Sequence, residues 1–585
     1  MKKFFKYLLI VIIGSITSFF LFFLGIVAII GIASSGSGDD IKIKDNTVLL
    51  LDLSGTISER SEDNPLDAIL SGGKSSLGLN DIKAAIDKAA KDDRIKGIYI
   101  ESDGFVAGFA TIEEIRNDLI KFKESGKFIY SFSPVYTLKS YYLASVADKV
   151  FLNPAGMLDF QGLSSSRTFY KNLLEKVGVE IQVFKYGEFK SAVEPYILDK
   201  MSEPARLQTE VYLNSIWENS LQNISLSRDI SVEELKKIAE QVPAFMTDAN
   251  ILATGLIDSL IYKDQMIDIL KAETDTEAKN DINAISVSKY HKVYLPGKKK
   301  GLERNKIAII YAEGAIDDGT STGGINSEKL SRTIRQARRD SSIKAIVMRV
   351  NSPGGSGLGS EIIWREVVEA KSVKPFIVSM GDLAASGGYY IAAGADSIVA
   401  QPNTLTGSIG VFGMIPNIDK AKKKIGLNTD IVKTNKYADM PNINRSFTKD
   451  EKALMQNYIN NFYEFFLMRC AEGRNTTTEE IDKVAEGRVW SGENALELNL
   501  VDKLGGIDDA IEIAKNMAEL ETYRVVHLPE KLPFSEQIMK ELKENASVYF
   551  GKMFFGKELE LLNTIKSLEN GYPIQARLPY DIEVN

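Results

Sequence analysis

The chain has 585 residues, which is more than one hydrophobic core usually serves, so several domains are expected. Its formal net charge of −8 argues against nucleic acid as the main partner, because phosphate binding needs a basic surface. The single cysteine, Cys470, excludes an intrachain disulfide and a cysteine-rich metal site, and we expect no cofactor.

The first predicted element is a membrane anchor. Residues Tyr7 to Ala33 carry no charge and are mostly Leu, Ile, Phe and Val, and about 20 such residues let a helix cross a bilayer. Lys2, Lys3 and Lys6 precede this run, so the positive-inside rule leaves the N-terminus in the cytoplasm. A cleaved signal peptide is the alternative, but its apolar core would be only about 7–15 residues long. We therefore expect a single-pass membrane protein whose remaining residues lie on the far side of the membrane, which in a bacterial inner membrane is the periplasmic or outer face.

Strands and helices alternate through the rest of the chain. The strands are apolar on both faces, and the helices show apolar residues at helical spacing. In chain order the predicted elements are strand 47–53, helix 81–90, strand 95–100, helix 112–122 and strand 127–131, and later strand 307–311, helix 330–337, strand 343–350, helix 361–370 and strand 376–380. Helix-rich stretches follow at 205–239 and 449–485. This order predicts an α/β fold with a buried, largely parallel sheet in each half.

The two halves of the chain are copies of each other. Tyr141 aligns with Tyr389 at an offset of 248 residues, and the same offset aligns Ile95 with Ile343 without a gap. Such self-similarity indicates duplication of one domain. The predicted domains are the anchor and spacer at 1–45, the first repeat at 46–263, a linker at 264–306, the second repeat at 307–527 and a C-terminal segment at 528–585.

The two copies have kept complementary halves of one candidate site. Ser386, between small residues in the second repeat, aligns with Leu138, whereas Lys190 of the first repeat aligns with Ala438. A serine hydroxyl needs a positioned base to act as a nucleophile. Both histidines of the chain lie outside the repeated core, so neither is a good candidate for that base. The sequence therefore predicts one Ser/Lys site where the copies meet.

Glycines near Ser386 and at the end of a strand could provide the free backbone amides that acyl transfer needs. Gly354 and Gly355 closely follow a strand, where free amides could form an oxyanion hole. Ser386 is followed by two glycines at a predicted helix start, and amides there favour negative charge. Phosphate binding by residues 354–359 is an alternative, although the Gly-Lys-Ser/Thr of a P-loop is absent.

Lys190 must be neutral at the working pH to serve as a base. Burial would have to lower its pKa from the ordinary value of about 10.4. Its neighbours Phe189 and Val193 suit burial, whereas Glu188 and Glu194 would oppose the shift if they faced the amine. Taken alone, a lysine in this setting is more often a surface residue held in an ion pair than a buried base.

Together these motifs resemble the signal peptide peptidase A family in its long, duplicated form. The lysine stands in a Lys-Ser-Ala-Val-Glu-Pro segment, Lys190 to Pro195, and the serine in an Ala-Ser-Gly-Gly-Tyr segment around Ser386. The resemblance covers nearly the whole chain and implies a Ser/Lys serine protease with two tandem repeats of the Clp-protease/crotonase fold. The implied roles are nucleophile for Ser386, general base for Lys190, oxyanion donors for Gly354 and Gly355, and support of the lysine for Ser408.

The resemblance also implies substrates and assembly. It implies an endopeptidase that degrades remnant signal peptides and other extended hydrophobic peptides, as a membrane-bound homo-oligomer such as a tetramer. Whether Lys190 meets Ser386 of its own chain or of a neighbour stays open. Two other functions also stay open, a crotonase-type acyl-CoA enzyme and a non-catalytic membrane scaffold that binds peptides. The segment 528–585 has no counterpart in the first repeat, and it either packs on the core or contacts the membrane surface.

Overall fold

The computed structural model describes residues 42–61, 77–293, 303–319 and 324–530, the backbone of 574–577, and four isolated positions near the N-terminus. Apart from these four positions, the predicted anchor, Tyr7 to Ala33, lies outside the described residues. Among the helices within these ranges, none has both the length and the apolar character needed to cross a membrane. Most of the segment 528–585 also lies outside the described residues. The backbone of 574–577 pairs with strands of the second repeat, while contact of the segment with the membrane stays a prediction.

The first repeat is built on a parallel sheet. Its strands are β1 (Thr47–Thr56), β2 (Ile95–Val106), β3 (Phe128–Tyr136), β4 (Lys149–Leu158), β5 (Glu180–Lys185), β6 (Ser259–Leu260) and β7 (Ala284–Ser286). Its helices are α1 (Leu79–Lys91), α2 (Phe109–Lys123), α3 (Leu138–Ala144), α4 (Lys171–Val177), α5 (Glu194–Ile197), α6 (Glu203–Arg228), α7 (Val232–Glu240), α8 (Asp248–Ala253), α9 (Lys263–Glu273) and α10 (Val287–Tyr290), with a 3-10 turn at Pro243–Phe245. All strands except β5 form one wholly parallel sheet in the order β6-β4-β3-β2-β1-β7.

The second repeat has the same framework with additional strands. Its strands are β8 (Lys306–Glu313), β9 (Ile316–Asp317), β10 (Ile325–Asn326), β11 (Ile343–Ser352), β12 (Gly354–Ser356), β13 (Phe376–Ala385), β14 (Ser397–Ala400), β15 (Leu405–Gly407), β16 (Phe412–Asn417), β17 (Val489–Ser491), β18 (Lys503–Leu504) and β19 (Arg524–Leu528). Its helices are α11 (Ser327–Arg339), α12 (Gly357–Lys371), α13 (Gly387–Ala393), α14 (Asp419–Lys424), α15 (Lys449–Arg474), α16 (Thr478–Asp482), α17 (Gly492–Glu497) and α18 (Ile507–Met517). A further strand, β20 (Ile574–Arg577), belongs to the C-terminal segment.

Equivalent strands occupy equivalent places in the two repeats. The order β6-β4-β3-β2-β1-β7 corresponds to β18-β14-β13-β11-β8-β19 in the second repeat. Even single contacts recur, because Tyr141 donates a hydrogen bond to the carbonyl of Leu256 and Tyr389 donates one to the carbonyl of Leu500. The α/β fold with two tandem parallel-sheet repeats is therefore confirmed.

Strand β11 illustrates why apolar runs predict the parallel sheets. Ile346, Val347 and Met348 are consecutive and all fully buried. Because side chains alternate along a strand, Ile346 and Met348 join the larger core of the repeat, while Val347 joins a second cluster beneath α18. A sheet covered on both faces needs strands that are apolar throughout.

The segment predicted as a linker contributes to the first repeat. Helix α9 overlaps its start, and β7 pairs in parallel with β1, with Ala284 opposite Val48. Ile285 is buried in the core of the first repeat. A three-residue strand leaves no periodic signal in the sequence, which is why this segment resembled a linker.

A small sheet joins the two repeats. Its order is β10-β9-β12-β20-β16-β5, and β5 pairs antiparallel with β16 from Glu180 opposite Asn417 to Lys185 opposite Phe412. The backbone of β20 lies between β12 and β16, antiparallel to both. Because residues 186–190 follow β5 directly, this pairing carries Lys190 into the second repeat.

Candidate active site

Ser386 lies in a tight turn between β13 and helix α13. Its φ of 58° and ψ of −115° are unusual for a residue with a side chain, and its amide donates a 2.8 Å hydrogen bond to the carbonyl of Gly407. A Cβ atom at Gly388 would lie 2.7 Å from the carbonyl oxygen of Ser352, so only glycine permits this close approach. The turn holds the Ser386 side chain at the end of the central sheet, fully buried.

Lys190 reaches this serine from the first repeat of the same chain. Its Nζ atom lies 2.8 Å from Ser386 Oγ, 3.0 Å from Ser408 Oγ and 3.1 Å from the Ser408 carbonyl oxygen. A neutral amine has two N–H donors and one lone pair. The two donors can therefore bond to Ser408 while the lone pair accepts the hydroxyl proton of Ser386. This contact answers, for this chain, the question of own chain or neighbour that the sequence left open.

Burial sets the charge state of Lys190. The side chain is fully buried, and desolvation holds the pKa of its amine well below the ordinary value of 10.5. Glu194 does not offset this effect, because its carboxylate accepts hydrogen bonds from the amide and hydroxyl of Ser202. Glu188 is exposed at the surface. The amine is thus placed to act as a base.

Gln208 of α6 holds the loop that carries Lys190. Its amide nitrogen donates 3.0 Å hydrogen bonds to the carbonyl of Phe189 and to Ser191 Oγ, the residues on either side of the lysine. Its amide oxygen accepts from the Val489 amide of the second repeat at 3.1 Å. Gln208 is fully buried. Sequence reasoning missed this residue, since no local motif distinguishes it from other glutamines of a helix.

Residues 486–488 pack closely against the lysine from the other side. A Cβ atom at Gly487, where φ is +80°, would lie 2.7 Å from Lys190 Cβ and 2.8 Å from its Cα. The carbonyl of Glu486 accepts from the Phe189 amide, and the carbonyl of Arg488 accepts from the Ser408 amide. This stretch therefore positions both the lysine and the serine that supports it. It too was missed, although a glycine in a polar loop was an available signal.

Gly354 and Gly355 lie in β12, beside the turn that carries Ser386. Gly354 has φ of +90°, and its amide donates a 3.1 Å hydrogen bond to Ser352 Oγ. A Cβ atom at Gly355 would lie 2.0 Å from the carbonyl oxygen of Ile316. Gly388 touches the same Ser352, which places β12 next to the start of α13. The oxyanion role of the two glycines stays a prediction.

The two histidines make contacts elsewhere. His291 Nδ1 is 3.1 Å from the carbonyl of Val287, and His527 Nδ1 is 2.8 Å from the hydroxyl of Tyr311. Among the described residues, Ser386 Oγ has contacts with Lys190 Nζ at 2.8 Å and with the carbonyl oxygen of Gly410 at 3.5 Å, and neither histidine hydrogen-bonds to it. That the base of Ser386 is not histidine stays a prediction.

Comparison with known proteins decides the family. Residues 121–277 and 369–521 match the model described as peptidase family S49. A protein described as Protease 4 from Salmonella typhi is 36% identical over 528 residues, which cover 87% of this chain and 84% of that protein. The chain belongs to peptidase family S49. The two matched regions of this S49 peptidase fall one in each repeat, and they contain Lys190 and Ser386 respectively.

Further relatives agree on the type of enzyme. The chloroplastic serine protease SPPA of Arabidopsis thaliana is 34% identical over 497 residues, covering 84% of this chain and 72% of that protein. The S49 peptidase is a serine protease, and neither the acyl-CoA enzyme nor the non-catalytic scaffold is retained. A ClpP1 mutant of Listeria monocytogenes matches 36% of this chain at 16% identity with a TM-score of 0.24, too slight a likeness to inform the fold. The Clp-protease/crotonase assignment of the repeats thus stays a prediction.

Proposed function

We propose that this S49 peptidase is a membrane-anchored Ser/Lys endopeptidase that degrades remnant signal peptides and other extended hydrophobic peptides. The observation that carries the proposal is the 2.8 Å contact between Lys190 Nζ and Ser386 Oγ. Both side chains are fully buried, and burial depresses the pKa of the amine. A neutral lysine beside a serine hydroxyl is the arrangement that a nucleophile and its base require.

The proposed reaction proceeds through an acyl-enzyme. Lys190 takes the hydroxyl proton as Ser386 Oγ bonds to the carbonyl carbon of the substrate, and the protonated amine then gives that proton to the departing peptide nitrogen. In the second half, the same amine takes a proton from water, whose oxygen attacks the acyl carbon. The proton returns to Ser386 Oγ as the second product leaves. Ser408 supports the amine throughout by accepting two of its hydrogen bonds.

Backbone amides near Ser386 would stabilise the oxyanion. Gly354 and Gly355 are the proposed donors, and one such donor lowers the activation barrier by about 3–4 kcal/mol in comparable sites. The amide of Gly354 now donates to Ser352 Oγ, so it would exchange that partner for the substrate oxygen. The start of α13, directly after Ser386, adds further amides whose dipoles favour negative charge.

The small sheet contains a place where a substrate peptide could bind as an extended strand. The backbone of β20 occupies a place between β12 and β16 and is antiparallel to both strands. A substrate peptide that took the place of β20 would be held by main-chain hydrogen bonds, as in other proteins that bind peptides by strand addition. Met414, on the adjoining strand β16, and Val183, on the next strand, β5, are partly buried apolar residues. Unfolded, apolar peptides suit this place better than folded proteins do.

Membrane attachment and assembly complete the proposal. The uncharged run Tyr7 to Ala33, preceded by lysines, supports a single-pass anchor with the peptidase on the periplasmic or outer face. Such an anchor would hold the enzyme where signal peptides remain after cleavage. A homo-oligomer, a tetramer by resemblance, is proposed as the working form. An enzyme released by alkaline carbonate washing of membranes would contradict the anchor.

A serine-reactive fluorophosphonate tests the proposed chemistry. The full chain, in detergent, should be labelled at Ser386, as located by mass spectrometry of the digested protein. Lys190→Ala should lose the label, whereas Lys200→Ala, a change at an exposed lysine, should keep it. Hydrolysis of an apolar 20-residue peptide is measured in parallel with a polar peptide of equal length. Full turnover by Lys190→Ala or Ser386→Ala would overturn the proposal, and equal turnover of both peptides would overturn the proposed substrate class.

A further inference from the structure

Helix α2 of the first repeat and helix α12 of the second repeat are capped in different ways. In α12, Ser356 precedes the helix, and its Oγ atom accepts a 3.1 Å hydrogen bond from the Gly359 amide. At the offset of 248 residues, Ser356 corresponds to Gly108, which has no side chain to accept such a bond. The first repeat therefore has no side-chain cap of its own at the start of α2.

Asp382 of the second repeat supplies the missing cap. Its carboxylate accepts hydrogen bonds from the Gly108 amide at 3.1 Å, from the Thr111 amide at 2.8 Å and from the Thr111 hydroxyl at 2.7 Å. A Cβ atom at Gly108 would lie 2.2 Å from the carboxyl carbon of Asp382, so a serine cap and this carboxylate exclude each other. The counterpart of Asp382 in the first repeat is Pro134, whose side chain cannot accept a hydrogen bond. The cap of α2 is therefore a contact between the two repeats.

Asp382 lies at a break in the strand that leads to Ser386. Strand β13 pairs first with β14 and then, from Leu383 onward, with β15. Between these pairings, residues 381–383 form a bulge opposite Asn351 of β11. Because a bulge bends its strand, contacts that fix the bulge also fix the position of Ser386, which follows β13 directly.

We infer that Asp382 is a positioning residue, which holds the end of β13 that carries the nucleophile against the repeat that carries the base. The inference rests on the proposed Ser/Lys chemistry, in which Ser386 and Lys190 belong to different repeats. An ionised carboxylate accepts hydrogen bonds from the amides of a helix start more strongly than a neutral cap does. Acting through the strand, Asp382 maintains the 2.8 Å contact between Lys190 Nζ and Ser386 Oγ.

The residues after the bulge also pack against the first repeat. Ala385 is buried within the core of the first repeat, and Leu383 packs against that core. Leu405 of β15, opposite Leu383, belongs to the same core. Such apolar contacts hold the segment close but are not directional. The three hydrogen bonds of Asp382 therefore set its orientation.

A buried ion cluster holds β13 just before the bulge. Arg349 of β11 donates a 3.0 Å hydrogen bond to the carbonyl of Met380. Its guanidinium also pairs with two carboxylates of the first repeat, with Glu59 at 2.8 Å and with Glu114 of α2 at 2.6 Å. Because this cluster is still present when Asp382 is replaced, we expect such a variant to fold with its repeats joined.

Asp382→Ala tests this role in the full-length protein in detergent. We expect kcat for an apolar peptide to fall about tenfold or more with KM nearly unchanged, because a small displacement of a reacting atom slows the reaction while the substrate still binds. Ser231→Ala is the matched control, since Ser231 is exposed and caps α7 through the Glu234 amide within the first repeat. It should lower the urea midpoint of unfolding and leave kcat unchanged. Normal kcat in Asp382→Ala would overturn the inference.

Adding Gly108→Ser separates positioning from capping. Once the carboxylate is gone, a serine fits at position 108, where φ of −78° and ψ of 168° suit a capping residue. The double variant Asp382→Ala/Gly108→Ser should regain most of the lost urea midpoint and keep the low kcat. If kcat recovers together with stability, Asp382 only caps α2 and the inference is wrong.

Two further variants cover the remaining outcomes. Should Asp382→Ala fail to fold with and without the added serine, Thr111→Val decides, because it keeps two of the three hydrogen bonds. A lowered kcat in Thr111→Val then supports the inference, and a normal kcat contradicts it. Ser386→Ala is measured in parallel. Turnover by Ser386→Ala would refute the proposed chemistry and this inference together, whereas an inactive Ser386→Ala beside a fully active Asp382→Ala would refute the positioning role alone.

Discussion

Ser408 holds the amine of Lys190 from two sides, with its hydroxyl oxygen 3.0 Å and its carbonyl oxygen 3.1 Å from Nζ. Both atoms are acceptors for the two N–H groups of a neutral amine. The lone pair is thereby left facing Ser386 Oγ, 2.8 Å away. Ser408 is itself fixed by the hydrogen bond that its amide donates to the carbonyl of Arg488. The direction of the lone pair thus depends on Ser408.

Ser408→Ala should lower kcat by about 10–100-fold with little change in KM. The change removes one acceptor for the amine, so the lone pair is less well aimed during proton transfer, which contributes about 10²–10⁴-fold in enzymes. Steady-state kinetics on an apolar peptide measures both constants. A variant with unchanged kcat, or with only a raised KM, would show that Ser408 does not orient the base.

Activity should rise with pH through the depressed pKa of Lys190. Only the neutral amine accepts the serine proton, and burial lowers the pKa from 10.5, so the neutral form is present at lower pH than in an ordinary lysine. We expect kcat/KM to climb with increasing pH and to reach a plateau well below pH 10.5. A profile that is still rising at the ordinary lysine pKa would contradict a desolvated base.

Lys190→Met should be more stable than the unaltered enzyme at neutral pH, although it should lose activity by about 10³-fold or more. In the folded protein the amine loses its proton at lower pH than in the unfolded chain, so the unfolded chain binds more protons between the two pKa values. Stability of the unaltered enzyme therefore rises with pH across that window. The advantage of the variant should shrink as the pH approaches 10.5, as measured by urea unfolding at several pH values. A constant difference across pH would refute the linkage.

Gln208→Leu should lower both kcat and stability. The change leaves the carbonyl of Phe189 and the amide of Val489 without their partner, and each unsatisfied buried group costs about 1–3 kcal/mol. The displaced loop should also reduce kcat by about tenfold or more while leaving KM nearly unchanged. Gln241→Leu, at an exposed position, is the matched control. Normal kcat in a destabilised Gln208→Leu protein would assign the glutamine a purely structural role.

Gly487→Ala and Gly126→Ala separate backbone strain from crowding of the lysine. Both glycines have positive φ, +80° and +74°, so backbone strain alone should cost each variant about 1 kcal/mol of stability, and the clash at Gly487 should add to that loss in Gly487→Ala. Only the new methyl at Gly487 would press on Lys190, at 2.7 Å, because nothing lies within 4 Å of a Cβ atom at Gly126. Peptide hydrolysis should therefore fall strongly in Gly487→Ala alone. Equal activity in the two variants would show that the loop yields without moving the lysine.

The sequence by itself determined the repeats and the alternation of strands and helices, and it predicted the pair of residues, Lys190 and Ser386, that the structure places in contact. Apolar periodicity is a local property, which is why β1, β2, β8 and β11 were predicted close to their observed starts. The offset of 248 residues exposed the reciprocal loss of serine and lysine, because duplicated copies that share one site no longer each need both residues. Family membership then confirmed a serine protease.

The tertiary structure alone decided that Lys190 meets Ser386 of its own chain, and which residues hold the lysine there. Gln208 contacts Val489 across 281 positions of sequence, and Gly487 packs on Lys190 from the other repeat. Contacts between distant segments leave no periodic trace, since they depend on how β5 and β16 pair rather than on neighbouring residues. The depressed pKa of the lysine has the same origin, because desolvation arises only when both repeats close around the amine.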